Sequence, residues 1–230
     1  MSGPQRRPVP RYLADAPDEG QPHGRWARLL GEEVLKAWSR MPDLPEGAGE
    51  PGEGRWFPSR RWGGRVYQPF TAHESTSGAG DGEATTSPAE DPLEYYGHVS
   101  YVRPPEGEPR GLVARLDFTD VLAADNPDWQ VDINDDVIGR WSALHGAADV
   151  TLIWGAPLVP GAVVATAEVD GETVDQADVT DSLFTLVAPD VVEVGGDELL
   201  CEVALYGAKG QELARESLYA PEDDGDREES

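Results

Sequence analysis

Cysteine is nearly absent from this 230-residue chain, and the single Cys201 excludes both an internal disulfide and a cysteine-based zinc site. No window approaches the ~20 apolar residues of a membrane span. The N-terminus, "MSGPQRRPVPRYLADAPDEG", has no apolar run behind its arginines, which argues against a secretory signal. A soluble cytoplasmic protein is expected by elimination. Catalytic signatures are missing too. There is no G-x-S-x-G elbow, no G-x-x-x-x-G-K-[ST] loop, and no G-x-G-x-x-G between strand and helix. Histidines 23, 73, 98 and 145 are too scattered for an i, i+4 metal pair. No cofactor and no metal are expected, and the reading leans away from an enzyme.

What the chain has in excess is negative charge. Its formal net charge is -26, unevenly spread. Residues 1 to 70 hold 11 basic against 9 acidic side chains, and the remainder holds 7 against 35. Such a surface repels phosphate backbones and anionic lipid and attracts basic partners. Sixteen arginines beside two lysines, with many Ala, Gly and Pro, also fit a GC-rich genome or a saline cytoplasm, in which case the acidity belongs to the organism.

Composition divides the chain. Residues 1–23 read as a disordered arm rich in Pro, Arg and Asp. Residues 24–41 form an amphipathic helix, because Trp26, Leu30, Val34 and Trp38 recur at i+4 steps, and Pro42 and Pro45 end it. A Gly/Pro/Glu linker follows at 42–54, an aromatic-basic segment at 55–70, and a second disordered linker at 71–92. The expected folded domain is 93–220, and 221–230 is an acidic disordered tail.

Within 93–220, eight short β-rich runs are bounded by turn residues: "EYYGHVSYVR", "GLVARLDF", "DVTLIW", "AVVATAEV", "ETVDQADV", "SLFTLVA", "LLCEVALY" and "QELARESLY". They predict a mainly β fold, an antiparallel β-sandwich of about eight strands, Ig-like or similar. The Ig comparison stays at the level of fold, since no Cys…Trp…Cys spacing supports it. One inserted helix is expected between Asn134 and Gly146, with Asn134 as N-cap, Asp135 and Asp136 in the first turn, and Val137, Ile138, Trp141 and Leu144 at helical spacing. That helix start also accounts for the Asp132, Asn134 and Asp136 cluster. A calcium loop would need Gly where Val137 stands and Glu where Ala143 stands.

The segment "RWFPSRRWGGRVYQPF" packs four arginines and five aromatic rings into sixteen positions. Candidate interaction residues are Arg55, Trp56, Phe57, Arg60, Arg61, Trp62, Arg65 and Tyr67, with Trp26, Leu30, Val34 and Trp38 on the helix. Arginine beside aromatic rings dominates protein interfaces and also lines single-strand nucleic-acid platforms. Nucleic acid is disfavoured by the net charge. The expected occupant is an acidic surface with an apolar groove, either a partner's or this chain's own β-domain, with Gly63-Gly64 making a bend. Membrane binding is not expected. The leading functional reading is a non-enzymatic interaction or adaptor protein. The alternative is an enzyme or small-ligand binder with a site around Trp129, Trp141, His145 and Trp154.

Overall fold

Alternation of β-branched and aromatic residues sets most of the structure. The computed structural model describes residues 15–18, 21–75, 93–104, 108–143, 146–189 and 201–218. In chain order these form β1 (Asp15–Asp18), α1 (Gly24–Trp38), β2 (Arg55–Trp56), β3 (Ser59–Trp62), β4 (Arg65–His73), β5 (Glu94–Val102) and β6 (Arg110–Thr119). A 3-10 turn (Ala123–Asp125) then precedes β7 (Val131–Ala143), β8 (Gly146–Pro157), β9 (Ala162–Val169), β10 (Glu172–Asp178), β11 (Phe184–Pro189), β12 (Cys201–Gly207) and β13 (Glu212–Ser217). The fold is mainly β, and every strand pairing is antiparallel.

The strands make three sheets in place of the two of a simple sandwich. The first has the order β1-β3-β4-β5-β6, with β2 also on β4; the second is β11-β8-β7; the third is β10-β9-β12-β13. The sheet β11-β8-β7 lies in the middle. Val150, Leu152 and Trp154 of β8 pack with Phe57 and Tyr67 of the first sheet. Their neighbour Ile153, with Phe184 and Leu186 of β11, packs on Ala165, Ala167, Val203 and Leu205 of the third. Because successive side chains of a strand point to opposite faces, a strand buried on both sides must be apolar at nearly every position. The β8 sequence "VTLIWGA" satisfies this from Val150 to Ala156.

Helix α1 covers the outer face of the first sheet. Leu30 and Val34, one turn apart, are buried against Val66, Phe70, Val99 and Tyr101, and Trp26 meets the Tyr101 ring edge-on at 4.9 Å. The helix ends at Trp38, and the Ser39 N–H still donates to the Leu35 carbonyl at 3.0 Å. No helix among the described residues is long and apolar enough to cross a membrane.

Three expectations are corrected. Residues 134–143 are not a helix. They belong to β7, which pairs with β8 from Val131↔Pro157 to Ala143↔Gly146. A register shift between Val137 and Gly139 moves the later side chains by one residue, so a bulged strand imitates the spacing of a helix. Leu144 and His145 lie outside the described residues. The β-domain also does not begin at 93, because β4 pairs with β5 along its length, Val66↔Tyr101 to His73↔Glu94. Finally, residues expected to be linker are tied down. Gly52 N–H donates to His73 O at 2.8 Å, Ser75 N–H to Glu50 O at 2.8 Å, and Tyr95 Oη to Gly49 O at 2.7 Å. Of the expected arm 1–23, Asp15–Asp18 pairs with β3. The remainder of that arm up to residue 20, most of linker 71–92 and the tail 221–230 lie outside the described residues.

Candidate functional site

The aromatic-basic segment is a β-hairpin with a short strand before it. Gly63 and Gly64, at φ 58 and 79, form the two-residue turn between Trp62 and Arg65, a conformation with positive φ at both centres that glycine adopts without strain. Proline 69 stands inside β4, where a missing N–H would break the ladder. The gap is absorbed because its neighbour strand is interrupted at the same level. Trp56 pairs with Phe70 and Arg60 with Tyr67, while Phe57 and Pro58 kink between them. Across that kink Gln68 Nε2 donates to the Phe57 carbonyl.

The hairpin presents Arg60, Trp62 and Tyr67 to the middle sheet. Trp62 lies over Gly139, where any Cβ would overlap its ring. Tyr67 donates to the Ile138 carbonyl at 3.4 Å and meets His98 edge-on at 5.4 Å. Arg60, 1 % exposed, pairs with the equally buried Asp175 of β10, and the same carboxylate oxygen accepts the Val187 N–H of β11 at 2.8 Å. One carboxylate thus joins all three sheets. Burial pushes Asp175 up from the usual carboxylate range, opposed by the Arg60 charge and by the Val187 and Gln176 amides.

The other predicted interaction residues are also engaged within the chain. Phe57 is buried, and Trp56 stacks on Phe70 at 5.4 Å. Arg65 donates to the Ser100 and Gly111 carbonyls at 3.0 and 2.7 Å. Arg55 reaches the Ser182 carbonyl at 3.4 Å and lies over the Phe57 ring. Arg61 is exposed. On α1, Trp26, Leu30 and Val34 face the sheet, and Trp38 is half-buried beside Tyr95. Of the two docking surfaces left open by the sequence, these residues occupy the chain's own.

What stays open is a groove beside them. A cavity of about 290 Å³ runs between α1 and the margin of the first sheet, lined by Gly31, Val34, Leu35, Pro51, Trp56 and Phe70, with Arg28 and Glu32 at its rim. Leu35 is 40 % exposed there. Gly31 sits mid-helix, where glycine costs about 1 kcal/mol relative to alanine, and nothing lies within 4 Å of the position its Cβ would take.

Two carboxyls gather at the starts of β5 and β7, Glu94 and Asp132. Burial pushes Glu94 and Asp132 up, and the Asp132 charge raises Glu94 further; His73 and Arg55 hold both back. His73 Nδ1 lies 3.6 Å from Glu94 Oε2. Asp132, Asn134 and Asp136 are spaced along a strand, and no group of three His, Cys, Asp or Glu among the described residues could hold a metal ion. The Cys201 thiol, buried in the core between the middle and third sheets, is pushed up to about 12 by desolvation. Trp141 and Trp154 share one core cluster, Trp129 is on the surface, and His145 lies outside the described residues.

Sequence reasoning passed over the polar face of β5 and β6. Tyr96, His98, Arg115 and Asp117 alternate with apolar residues in "EYYGHVSYV" and "LVARLDF", and the register pairs them across the two strands. The alternation was readable, but the pairing that unites it was not. No family model, curated protein or solved structure matches this chain.

Proposed function

We propose that this chain is a non-enzymatic interaction protein that receives an apolar element of a partner in the groove beside α1. The observation that carries the reading is the groove itself, an open apolar channel with an exposed Leu35 and a helix glycine that leaves its floor unfilled. A glycine at that cost is accounted for by close approach of another backbone or side chain. The partner carries basic charge around its apolar element, to match a chain of net charge -26. Cytoplasmic residence is part of the same reading.

The scaffold is read as Ig-like. Of the seven strands from β7 onward, the first, second and fifth form one sheet, and the third, fourth, sixth and seventh form the other. This is the Greek-key division of such sandwiches, apart from the placing of the fourth strand. The analogy concerns architecture and supplies no partner. Nucleic acid is disfavoured further, because Arg55, Arg60 and Arg65 already bond within the chain.

A photo-crosslinking residue placed at Leu35 in the native host tests the proposal, beside the same probe in a Gly31→Trp background. The substitution fills the groove at a position with open space around it. A discrete crosslinked protein that vanishes with Gly31→Trp is expected. No discrete adduct, or one indifferent to Gly31→Trp, would overturn the reading.

A further inference from the structure

Strand β6 closes one end of the first sheet, and among the described residues no strand lies beyond it. Its register against β5 runs unbroken through seven consecutive pairs, from Glu94↔Thr119 to Ser100↔Val113. Alternate side chains stay open, with Val113 54 % exposed, and neither proline nor lysine interrupts the strand. The long edge of β7 is different. A register shift between Val137 and Gly139 breaks it, and the Val137 and Ile138 carbonyls accept from Arg115 and Tyr67. Sheets blunt their edges in such ways because an unpaired row of N–H and C=O groups is a template for another strand. On β6 that row is intact.

The direction of its backbone groups follows from what they touch. In an antiparallel strand the N–H and C=O of one residue point to one side and those of the next to the other. The Val113 carbonyl accepts from Ser100 Oγ of β5 at 3.3 Å, and the Gly111 carbonyl from Arg65 at 2.7 Å. A Cβ on Gly97 of β5 would overlap the Arg115 carbonyl. Odd-numbered residues therefore bond toward β5, and Leu112, Ala114, Leu116 and Phe118 turn their backbone groups to the free side. The Phe118 N–H agrees, since it donates to the Asp117 carboxylate at 2.9 Å. Leu112, Ala114 and Leu116 place their side chains with α1, so Arg115 and Asp117 share the opposite face.

We infer that this edge pairs with β6 of a second copy of the chain, antiparallel and centred on Leu116. Twofold pairing sets residues of the same face against one another, which leaves few registers. Centred on Leu116, the ladder puts Arg115 of each copy directly opposite Asp117 of the other, in two equivalent pairs, and Ala114 opposite Phe118. Centred on Arg115, it opposes the two arginines. Centred on Ala114, it sets Val113 against Arg115 and Asp117 against Gly111. Opposite charges across a ladder stabilise and like charges destabilise, so the charge pattern selects Leu116. Both bonds that Arg115 makes to β7 leave from Nη1, and its side chain is 59 % exposed, so it meets the second carboxylate without releasing Asp136. Asp117 gives up the Phe118 N–H, which passes to the Ala114 carbonyl of the other copy. From Arg110 to Thr119 the strand carries two arginines and one aspartate, so this edge escapes the repulsion that a net charge of -26 sets up elsewhere.

Sedimentation velocity on the full chain tests the inference. Two paired strand edges make a small interface, so a reversible dimer with a Kd on the order of 10 μM is expected. Asp117→Arg and Arg115→Glu each set like charges opposite one another, and each should raise that Kd about tenfold or more. Mixed one to one, the two variants should recover the association, because each then faces its opposite charge. Ala114→Pro removes an outward N–H, leaves the β5 ladder intact, and should give a monomer. Circular dichroism and melting temperature establish that each variant is folded before it is scored. Four outcomes would overturn the inference: a monomeric wild-type chain at about 300 μM, which would leave the edge to a strand of another protein, a dimer indifferent to Asp117→Arg, one indifferent to Ala114→Pro, or folded charge variants that fail to associate on mixing.

Discussion

Arg60 and Asp175 form an ion pair whose side chains are 1 % and 2 % exposed, and they stand 115 residues apart in the chain. Removing one partner of such a pair leaves a charge without compensation in a medium that solvates it poorly, a loss of about 3–5 kcal/mol. Arg60→Met should therefore destabilise by that amount in urea unfolding. The double variant Arg60→Met/Asp175→Leu should be less damaged than Arg60→Met alone, because the stranded carboxylate is gone. A double variant as unstable as the two single losses added together would contradict this account.

Trp62 of β3 and Gly139 of β7 make a second joint, between the first sheet and the middle one. Gly139→Ala should force the half-buried indole outward, with a red-shifted tryptophan emission and a loss of about 1–3 kcal/mol, the usual cost of overpacking. In a Trp62→Ala background the same change should cost much less, since contacting residues couple. Equal costs in both backgrounds would show that the glycine is needed for another reason.

Glu94 and Asp132 set a pH dependence. Both have folded-state pKa values raised by burial, so each adds stability while protonated, below the ordinary carboxylate value of about 4. That contribution is lost as pH rises through the raised values. Glu94→Gln should consequently raise the melting temperature at pH 7 more than at pH 4. A larger gain at pH 4 would reverse the sign of the argument.

Cys201 should be silent. With its thiol buried and pushed up to about 12, almost no thiolate exists near neutrality. A disulfide reagent at pH 8 should label it only as fast as the core opens, and labelling should accelerate with urea. Rapid labelling of the native protein would place the thiol outside the core.

The strands from β5 onward, β7 apart, were legible because each run carries its own alternation and its own turn residues. Asp170-Gly171 is one such turn, and both residues take positive φ in the hairpin between β9 and β10. The β7 strand was misread because its bulge shifts Trp141 by one residue, and local spacing does not distinguish a bulged strand from a helix. Docking of residues 55–70 on the chain's own β-domain was one of two readings the sequence left open, and Pro69 inside β4 is a residue that ordinarily argues against a central strand. Only the matching break at Phe57-Pro58 makes it tolerable, and that match is tertiary. For the same reason neither the three-sheet carboxylate of Asp175 nor the groove beside α1 could be read locally. Each is made by elements far apart in the chain.

The middle sheet has a consequence for synthesis. The hairpin around Gly63-Gly64 leaves the ribosome early, but the surface that covers it belongs to β7, β8 and β11, and the carboxylate that neutralises Arg60 follows 115 residues later. At about 5–20 residues per second that interval is roughly 6–23 s. Throughout it Trp62, Tyr67 and a cationic strand edge are exposed to every other nascent chain nearby. A segment that carries a buried arginine and buried rings in the finished molecule is thus one that needs protection while it is being made.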